Sequence, residues 1–250
     1  MKYYYQKKKI SLPHNGRRFV IADIHGCYKT FISLLDKIEL TQHDQLFLLG
    51  DYINKGPQSK KTLNFIIKLI SRGYKVYPLR GNHEQDIKDV AEKDPKILKW
   101  LLRKSPDLLK NGALRKQHQL FLNSLPYYYK LPDYYLVHAG FNFKAKKPFK
   151  DKKAMLWRRM NEKSSPFNDN RIILHGHQSF EIEEIKSKIF NGNSIIGLDN
   201  GVSYTKAHKI YNYTKMGNLC ALNLDTHELI IQKNVDSVLT KQYFKRKKTA

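Results

Sequence analysis

The sequence is poor in cysteine, in acidic side chains and in long apolar runs. Only two of its 250 residues are cysteines, Cys27 and Cys220, and neither belongs to a CxxC pair. This excludes a disulfide framework and a cysteine-based zinc knuckle, and it is typical of a reducing compartment. No apolar run approaches the ~18–20 residues of a membrane span, and residues 1–13 lack the apolar segment of a secretory signal. We therefore expect a cytoplasmic protein.

Acidic residues are outnumbered by basic ones. Forty-six Lys and Arg against 22 Asp and Glu give a formal net charge of +24, which attracts polyanions. The lysines are spread along the chain, however, and the dense runs Lys7–Lys9 and Lys245–Lys248 lie near its ends, where charge runs are usually solvated. Nucleic-acid binding is therefore not expected as the primary role, and no membrane partner is predicted. The pattern predicts no particular oligomeric state.

Hydrophobic periodicity predicts a mixed α/β (α+β) fold. Helices are predicted over 30–40 and 59–72, where apolar residues recur at helical spacing. Short apolar runs predict strands along the chain, at 18–23, 45–51, 74–79, 134–139, 171–176, 194–198, 219–224 and 228–235. The alternation in the first eighty residues indicates βαβ units and a mostly parallel sheet. The last three strands suggest a second, mainly antiparallel sheet.

We expect a single domain over residues 18–240, between basic tails at 1–17 and 241–250. Residues 84–125 look helical and more polar, and they are broken by two prolines and a glycine. This stretch is predicted to be a helical, cap-like insertion.

Five predicted strands end in residues that can bind a metal ion. In chain order, the clusters are Asp23-Ile24-His25-Gly26, Gly50-Asp51-Tyr52, Gly81-Asn82-His83-Glu84, Val137-His138-Ala139-Gly140 and His175-Gly176-His177. Each alone is explained by a turn or a buried histidine, but together they would converge outside the carboxyl ends of the strands. Oxygen and imidazole ligands without thiolate favour Mn, Fe or Zn. A carboxylate that bridges two ions about 3.5–4 Å apart would activate water for attack on phosphorus.

These motifs resemble those of the calcineurin-like metallophosphoesterases, and within them the bacterial and phage branch of the phosphoprotein phosphatases. The family pattern is D-x-H-G, then G-D-x-x-D-R-G, then G-N-H-E, then two later histidines. Residues 50–56 match its second element, and Trp157-Arg158-Arg159 resembles a W-x-R element of the bacterial branch. The resemblance covers roughly residues 18–201. It implies a two-sheet β-sandwich flanked by helices.

The resemblance also implies a role for each matching residue. One metal ion would take three ligands: Asp23, His25 and Asp51. The other would take four: Asp51, Asn82, His138 and His177. His83 would be the general acid that protonates the leaving group, while Arg80 and Arg159 would hold phosphate oxygens. Two ions are implied, with manganese expected and iron or zinc as alternatives.

Two positions depart from the family pattern. Asn54 replaces the aspartate that orients the catalytic histidine, and Lys55 replaces a phosphate-binding arginine. An asparagine carbonyl can fix the tautomer of His83 but cannot stabilise its imidazolium by charge, so the pKa of His83 should fall relative to the family. Lys55 is a point charge that cannot form a bidentate pair with phosphate. We therefore expect an active but retuned phosphatase.

The implied reaction is hydrolysis of phosphomonoesters, by in-line attack of a hydroxide that bridges the metal ions. The expected substrates are phosphoserine and phosphothreonine in proteins, or a small phosphoester. The alternative is a hydrolase of dinucleoside polyphosphates such as diadenosine tetraphosphate, since those enzymes share most of the motifs. Glu84 favours the phosphoprotein branch, because the nucleotide branch more often shows G-N-H-D. A non-catalytic module that binds polyanions through its basic residues is a third interpretation.

Overall fold

Strands and helices alternate through most of the computed structural model, which describes residues 9–91, 93–160, 167, 169–204 and 215–236. The strands are β1 (Arg18–Ile21), β2 (Gln45–Leu48), β3 (Lys75–Pro78), β4 (Leu109–Lys110), β5 (Ala113–Leu114), β6 (Tyr128–Lys130), β7 (Tyr134–Val137), β8 (Ile172–His175), β9 (Ile195–Gly197), β10 (Asn218–Asn223) and β11 (Leu229–Lys233). The α-helices are α1 (Tyr28–Lys37), α2 (Ser59–Ser71), α3 (Asn82–Val90), α4 (Pro95–Leu101), α5 (Lys116–Ser124), α6 (Lys152–Trp157) and α7 (Ile182–Phe190). Short 3-10 turns span Leu102–Lys104, Pro106–Leu108 and Pro148–Lys150.

Two sheets form the centre of the fold. The first has the order β11-β10-β1-β2-β3, with β1, β2 and β3 parallel. The second has the order β6-β7-β8-β9, with β7, β8 and β9 parallel. Parallel strands place their carboxyl ends at the same edge of each sheet, which is where the predicted ligand clusters follow.

The side chains of β1 show why the two sheets pack face to face. Val20 belongs to a buried cluster with Leu136 and Leu174 of the second sheet. Its neighbours Phe19 and Ile21 belong to a different cluster, on the face that helix α1 covers. Successive strand residues point to opposite faces, so fully apolar strands are buried on both. The predicted β-sandwich flanked by helices is confirmed.

The prediction of a second, mainly antiparallel C-terminal sheet is wrong. Strand β9 pairs with β8 in a parallel arrangement and completes the second sheet. Strands β10 and β11 instead extend the first sheet, with β10 antiparallel to β1. The physical reason is that the open edge of the first sheet, at β1, pairs with β10, and β11 then pairs with the other edge of β10.

Helix α1 begins beside the first ligand cluster and is fixed there by a distant residue. The Asp236 carboxylate accepts hydrogen bonds from the backbone N–H groups of Lys29 (3.2 Å) and Thr30 (2.8 Å). A carboxylate at this position satisfies free N–H groups and complements the helix dipole. The chain after β11 therefore holds the loop that carries His25.

The stretch 84–125 contains helices, two 3-10 turns and the β4–β5 hairpin. Ile87, Leu98, Leu108 and Phe121 from this stretch are buried in the same cluster as α1 and α2. It is therefore part of the domain core on the helical side, rather than a cap with a separate core.

The predicted N-terminal tail lies partly within the described residues. Ile10 N–H donates to the Lys130 carbonyl at 3.0 Å, and Gln45 Nε2 donates to the Ser11 carbonyl at 3.0 Å. Residues 9–17 thus contact both sheets. Residues 1–8 and the predicted tail 241–250 lie outside the described residues.

Among the helices that the structure describes, none has the length and hydropathy to cross a bilayer.

Candidate metal centre

Asp51 lies at the centre of the ligand clusters. Its Oδ2 is 3.6 Å from His25 Nε2 and 3.8 Å from His83 Nε2, while its Oδ1 is 3.6 Å from His138 Nε2. Two groups of metal-capable atoms result, each within 4.8 Å: Asp51 with His25 and His83, and Asp51 with Asp23 and His138. One carboxylate therefore belongs to both groups, as a bridging ligand must.

The amide oxygen of Asn82 brings two histidines together. Asn82 Oδ1 lies 3.0 Å from His138 Nε2 and 3.0 Å from His177 Nδ1. The other ring nitrogen of His138 is 2.9 Å from the Leu49 carbonyl, which fixes the ring orientation. Such a backbone partner is typical of metal-binding histidines.

His177 approaches the centre and His175 does not. The backbone N–H of His177 donates to both Asp23 oxygens, at 3.1 and 3.2 Å. His175 is buried beside Phe180, and its Nδ1 is 3.0 Å from the Gly176 carbonyl. A Cβ atom at Gly176 would overlap the Asp23 carboxylate, so a glycine is required there.

The backbone at the centre adopts a conformation that L-residues rarely use. Five candidate site residues have positive φ: His25 (49°), Asp51 (51°), Asn54 (66°), Lys55 (65°) and His177 (62°). Such residues cost of order 1–3 kcal/mol each and cluster at functional sites. The contacts of the surrounding structure must offset that local cost.

The Nδ1 atom of His83 contacts Asn54 rather than a carboxylate. Asn54 Nδ2 lies 3.0 Å from His83 Nδ1, and the backbone N–H of His83 donates to Asp51 Oδ1 at 3.1 Å. Burial lowers the pKa of His83, and Asp51 acts in the opposite direction. The imidazolium form of His83 is therefore less favoured than in a solvent-exposed histidine.

The three residues predicted to bind phosphate have different surroundings. Lys55 is exposed, and its Nζ is 2.7 Å from His25 Nε2. Arg159 is exposed and lowers the pKa of His177 by its charge, although burial is the larger cause. Arg80 is only 2% exposed and donates to the carbonyl oxygens of Asn123 and Leu125, at the end of α5. Its Nη1 has no hydrogen-bond partner within the described residues.

Glu84 has a positioning role that its motif did not reveal. Its Oε2 accepts from the N–H groups of Asp51 (2.8 Å) and Gly81 (3.0 Å), and its Oε1 accepts from Tyr52 N–H (2.9 Å). Burial and the Asp51 charge raise the pKa of Glu84 to about 8. The G-x-x-E spacing of a capping box at the start of α3 was the available signal.

Asp199 is a second residue that positions the site, within the stretch Leu198-Asp199-Asn200-Gly201, which the sequence predicts to be a turn at the edge of the site. It is buried, accepts from Ser179 Oγ at 2.6 Å, and accepts from Gly201 N–H at 2.7 Å. Its backbone carbonyl accepts from Phe180 N–H at 2.9 Å. Asp199 therefore fixes the loop that follows His177.

The donor set fits a pair of divalent cations. Asp23 and Asp51 are 1% and 2% exposed, and both face the same cluster. Burial raises the pKa of Asp23 well above its usual range, and the charges of Asp199 and Asp51 add to this effect. Burial alone would raise the pKa of Asp51, but the charges of His138 and His83 hold it below its usual range. Cations would compensate these carboxylates, and carboxylate, amide and imidazole donors suit Mn, Fe or Zn.

A β-sandwich with Asp, Asn and His converging from five strand ends defines the class of metal-dependent phosphoesterases. The chain belongs to the calcineurin-like phosphoesterase family, which it matches over residues 16–220. The predicted family is thereby confirmed. That fold implies a dinuclear divalent metal centre, and the structure contains candidate ligand groups for it.

Curated relatives resemble the chain in sequence, and solved structures resemble it in fold. The chain is 35% identical over 131 residues to the symmetrical bis(5'-nucleosyl)-tetraphosphatase of Wigglesworthia glossinidia brevipalpis, and 34% identical over 128 residues to that of Nitrosomonas europaea. Each match covers 49% of this chain and 44% of the relative, so the chain matches under half of the length of these relatives. A crystal structure described as a candidate diadenosine tetraphosphatase superposes with a TM-score of 0.63, at 20% identity, covering 90% and 97% of the two chains. A protein serine/threonine phosphatase from Saccharomyces cerevisiae superposes with a TM-score of 0.58, at 16% identity, covering 90% and 82%.

The prediction of a protein serine/threonine phosphatase is wrong. The curated relatives are named as tetraphosphatases, which agrees with the alternative that the sequence analysis left open. The single residue that favoured the phosphoprotein branch, Glu84, binds three backbone N–H groups. The glutamate at position 84 therefore positions the backbone of the site, and it does not indicate which substrate the site binds.

Proposed function

We propose that this protein is a metal-dependent hydrolase of dinucleoside polyphosphates, which cleaves the central phosphoanhydride of a dinucleoside tetraphosphate. Water and the tetraphosphate would give two nucleoside diphosphates. The observation that carries the proposal is Asp51, whose two oxygens belong to two separate groups of metal-capable atoms. The names of the relatives support the choice of substrate.

Each candidate residue has a defined task in this proposal. Asp23 and His25 would hold one ion, since Asp23 Oδ2 is 3.9 Å from His25 Nε2, although Asp23 also belongs to the group that contains His138. Asn82, His138 and His177 would hold the other ion, and Asp51 would bridge the two. Two such ions, with manganese expected, supply an activated water and neutralise phosphate charge when bound. The chain itself would orient the substrate and protonate the leaving group.

Leaving-group protonation would come from His83. Its ring is about one-quarter exposed, with Nε2 3.8 Å from Asp51, so it borders the cluster from the solvent side. Asn54 holds Nδ1 and thereby orients Nε2 toward the cluster. A positioned acid of this kind contributes about 10²–10⁴-fold to the rate.

Phosphate oxygens would be held by Lys55 and Arg159, both exposed beside the histidines. The proposal gives Arg80 the same task through Nη1, a buried nitrogen that lacks a partner among the described residues. Because Lys55 is a single point charge, it suits a phosphate chain better than the fixed geometry of one monoester. A cytoplasmic location is part of the proposal.

The test is a substrate panel with the manganese-loaded protein. It contains diadenosine tetraphosphate, a phosphoserine peptide, a phosphotyrosine peptide and a cyclic nucleotide. We expect the highest kcat/KM for the tetraphosphate, ADP as the sole nucleotide product, and loss of activity with EDTA. Asp51→Asn is the inactive control. A phosphoserine peptide hydrolysed with the higher kcat/KM, or turnover insensitive to chelator, would refute the proposal.

A further inference from the structure

A cluster of exposed lysines follows the strand that carries His138. Between residues 141 and 160 there are six lysines, and every one of them is exposed: Lys144, Lys146, Lys147, Lys150, Lys152 and Lys153. We call these six residues the basic face. They include only two adjacent pairs, Lys146-Lys147 and Lys152-Lys153, so a search for uninterrupted runs of charge does not reveal them.

Asp151 is the one acidic residue among residues 141–160, and its carboxylate is already engaged in hydrogen bonds. Asp151 Oδ1 accepts from Ala154 N–H at 2.9 Å, and its Oδ2 accepts from Asn142 Nδ2 at 3.1 Å. The carboxylate is thus committed to the start of α6 and to the preceding loop. Two further basic residues, Arg158 and Arg159, follow α6.

The segment that carries the basic face is anchored directly beside the metal centre. Ala139, the residue after His138, donates its N–H to the Met155 carbonyl of α6 at 2.9 Å. Gly140 packs so closely that an added Cβ would lie 3.1 Å from the Arg158 carbonyl and would overlap Met160. The lysines therefore project from a loop and a helix that both return to the His138 strand end.

Lys152 links the same face to a second strand end. Its Nζ lies 5.3 Å from the centre of the Tyr127 ring, and the Arg80 guanidinium lies 5.3 Å from that same ring. Arg80 directly precedes Gly81-Asn82-His83. Tyr127 in turn donates its hydroxyl proton to Gln85 Oε1, in α3, at 3.1 Å. Lys152 thus places one end of the basic face near the strand ends of β3 and β7.

A face of flexible ammonium groups beside a phosphate-cleaving centre fits a chain of phosphates. Lysine side chains are mobile point charges, which bind an anionic chain without demanding one geometry. Their field reaches about 8 Å at physiological ionic strength, so it acts on phosphates next to the reacting one.

We infer that the basic face binds the phosphates that extend beyond the reacting phosphorus, so that the protein selects substrates by the length of their phosphate chain. This rests on the proposed function and narrows its substrate class. A monoester has no such extension and gains little from the basic face. A tetraphosphate places further anionic groups on it.

The test uses two triple variants of the full chain, loaded with manganese. The first is Lys144→Gln, Lys146→Gln and Lys147→Gln. The matched control is Lys37→Gln, Lys68→Gln and Lys75→Gln, which removes the same charge where α1 and α2 end and β3 begins, at the opposite edge of the sheet. We expect the first variant to raise KM for diadenosine tetraphosphate about tenfold, because each exposed pair contributes a factor of a few. KM for p-nitrophenyl phosphate should change far less, and the control should match the wild type.

Inhibition of p-nitrophenyl phosphate hydrolysis gives a readout that does not depend on tetraphosphate turnover. Tripolyphosphate should inhibit the wild type more strongly than orthophosphate, and the ratio of the two Ki values should shrink about tenfold in the first variant only. If the protein does not hydrolyse the tetraphosphate but this ratio still shrinks, the proposed function fails and the basic face stands. An unchanged ratio, or equal losses on all substrates, would overturn the inference.

A nucleic-acid partner is the competing outcome. Loss of single-stranded RNA binding in the first variant, with an unchanged KM for the tetraphosphate, would assign the basic face to RNA and overturn the inference. Should the triple variant fail to fold, the single variants Lys144→Gln and Lys147→Gln replace it. The wild type should also lose kcat/KM more steeply with added salt for the tetraphosphate than for p-nitrophenyl phosphate.

Discussion

The side-chain nitrogen of Asn54 lies 3.0 Å from Nδ1 of His83, where the family pattern has a carboxylate. An amide nitrogen can only donate, so Nδ1 acts as the acceptor and the ring proton resides on Nε2, on the side of Asp51. No negative charge at position 54 supports an imidazolium. The pKa of His83, the proposed acid, therefore depends on burial and on the neutral amide of Asn54.

Replacing Asn54 by aspartate should move the alkaline limb of the pH–rate profile upward by about one pH unit. Burial lowers the pKa of His83 in the native protein, and a carboxylate beside Nδ1 would raise it, since an opposite charge at this distance favours the protonated form. The measurement is kcat against pH for wild type and Asn54→Asp. Asn54→Ala is the control, and it should lower kcat without an upward shift. An unshifted limb in Asn54→Asp would contradict the role given to this pair.

Replacing His83 by asparagine should lower kcat about 10²–10⁴-fold, because the positioned acid is lost. The loss should be larger for phenyl phosphate than for p-nitrophenyl phosphate, since the poorer leaving group depends more on protonation. His83 belongs to one group of metal-capable atoms, but the proposal assigns it to the leaving group and to neither ion, so metal content should stay unchanged. Equal losses on both esters would show that His83 acts through the metal centre instead.

Replacing Asp51 by asparagine should reduce bound metal more than any substitution of a one-sided ligand. Asp51 belongs to both groups of metal-capable atoms, whereas Asp23 and His138 belong to only one. We expect Asp51→Asn to retain fewer metal ions per chain than Asp23→Asn, as measured by elemental analysis after dialysis. Equal retention in the two variants would contradict a shared, bridging carboxylate.

Dialysis against chelator should abolish wild-type activity, and added manganese should restore it.

The free energy of unfolding should fall in acid because Asp44, a residue outside the metal centre, becomes protonated. This buried carboxylate accepts hydrogen bonds from Arg17 and Thr41, which lower its pKa to about 2 although burial opposes them. A folded-state pKa below the unfolded value of 3.8 means that the stabilisation is complete above about pH 4 and is lost as the pH falls toward 2. The difference in free energy of unfolding between wild type and Asp44→Asn should be about 2 kcal/mol at pH 7 and should shrink below pH 4. Asp36→Asn, at an exposed position, should show no such trend.

Much of the fold followed from local pattern. Phe31, Leu34 and Leu35 recur at helical spacing and are buried in α1, as periodicity predicts. The apolar runs around Val20 and Leu136 became strands at the predicted places. These features depend on near neighbours in the chain, so a single sequence reveals them.

The pairing of strands that are distant in the chain was harder to predict from the sequence. Nothing local in Asn218–Asn223 indicates that its partner is β1, about two hundred residues earlier. The choice follows from which sheet edge remains open once the other strands have paired. Glu84 was missed as a positioning residue for a similar reason, because its partners became visible only when the chain was folded.

The left-handed backbone at Asn54 and Lys55 has a consequence for distant relatives of this chain. A glycine there would relieve torsional cost, so only a working centre gives natural selection a reason to keep a bulky side chain. A descendant that no longer cleaves anything would drift toward glycine at these positions before it lost its apolar interior. Glycine at positions 54 and 55, with the histidines still in place, would therefore indicate a relative that has lost catalytic activity.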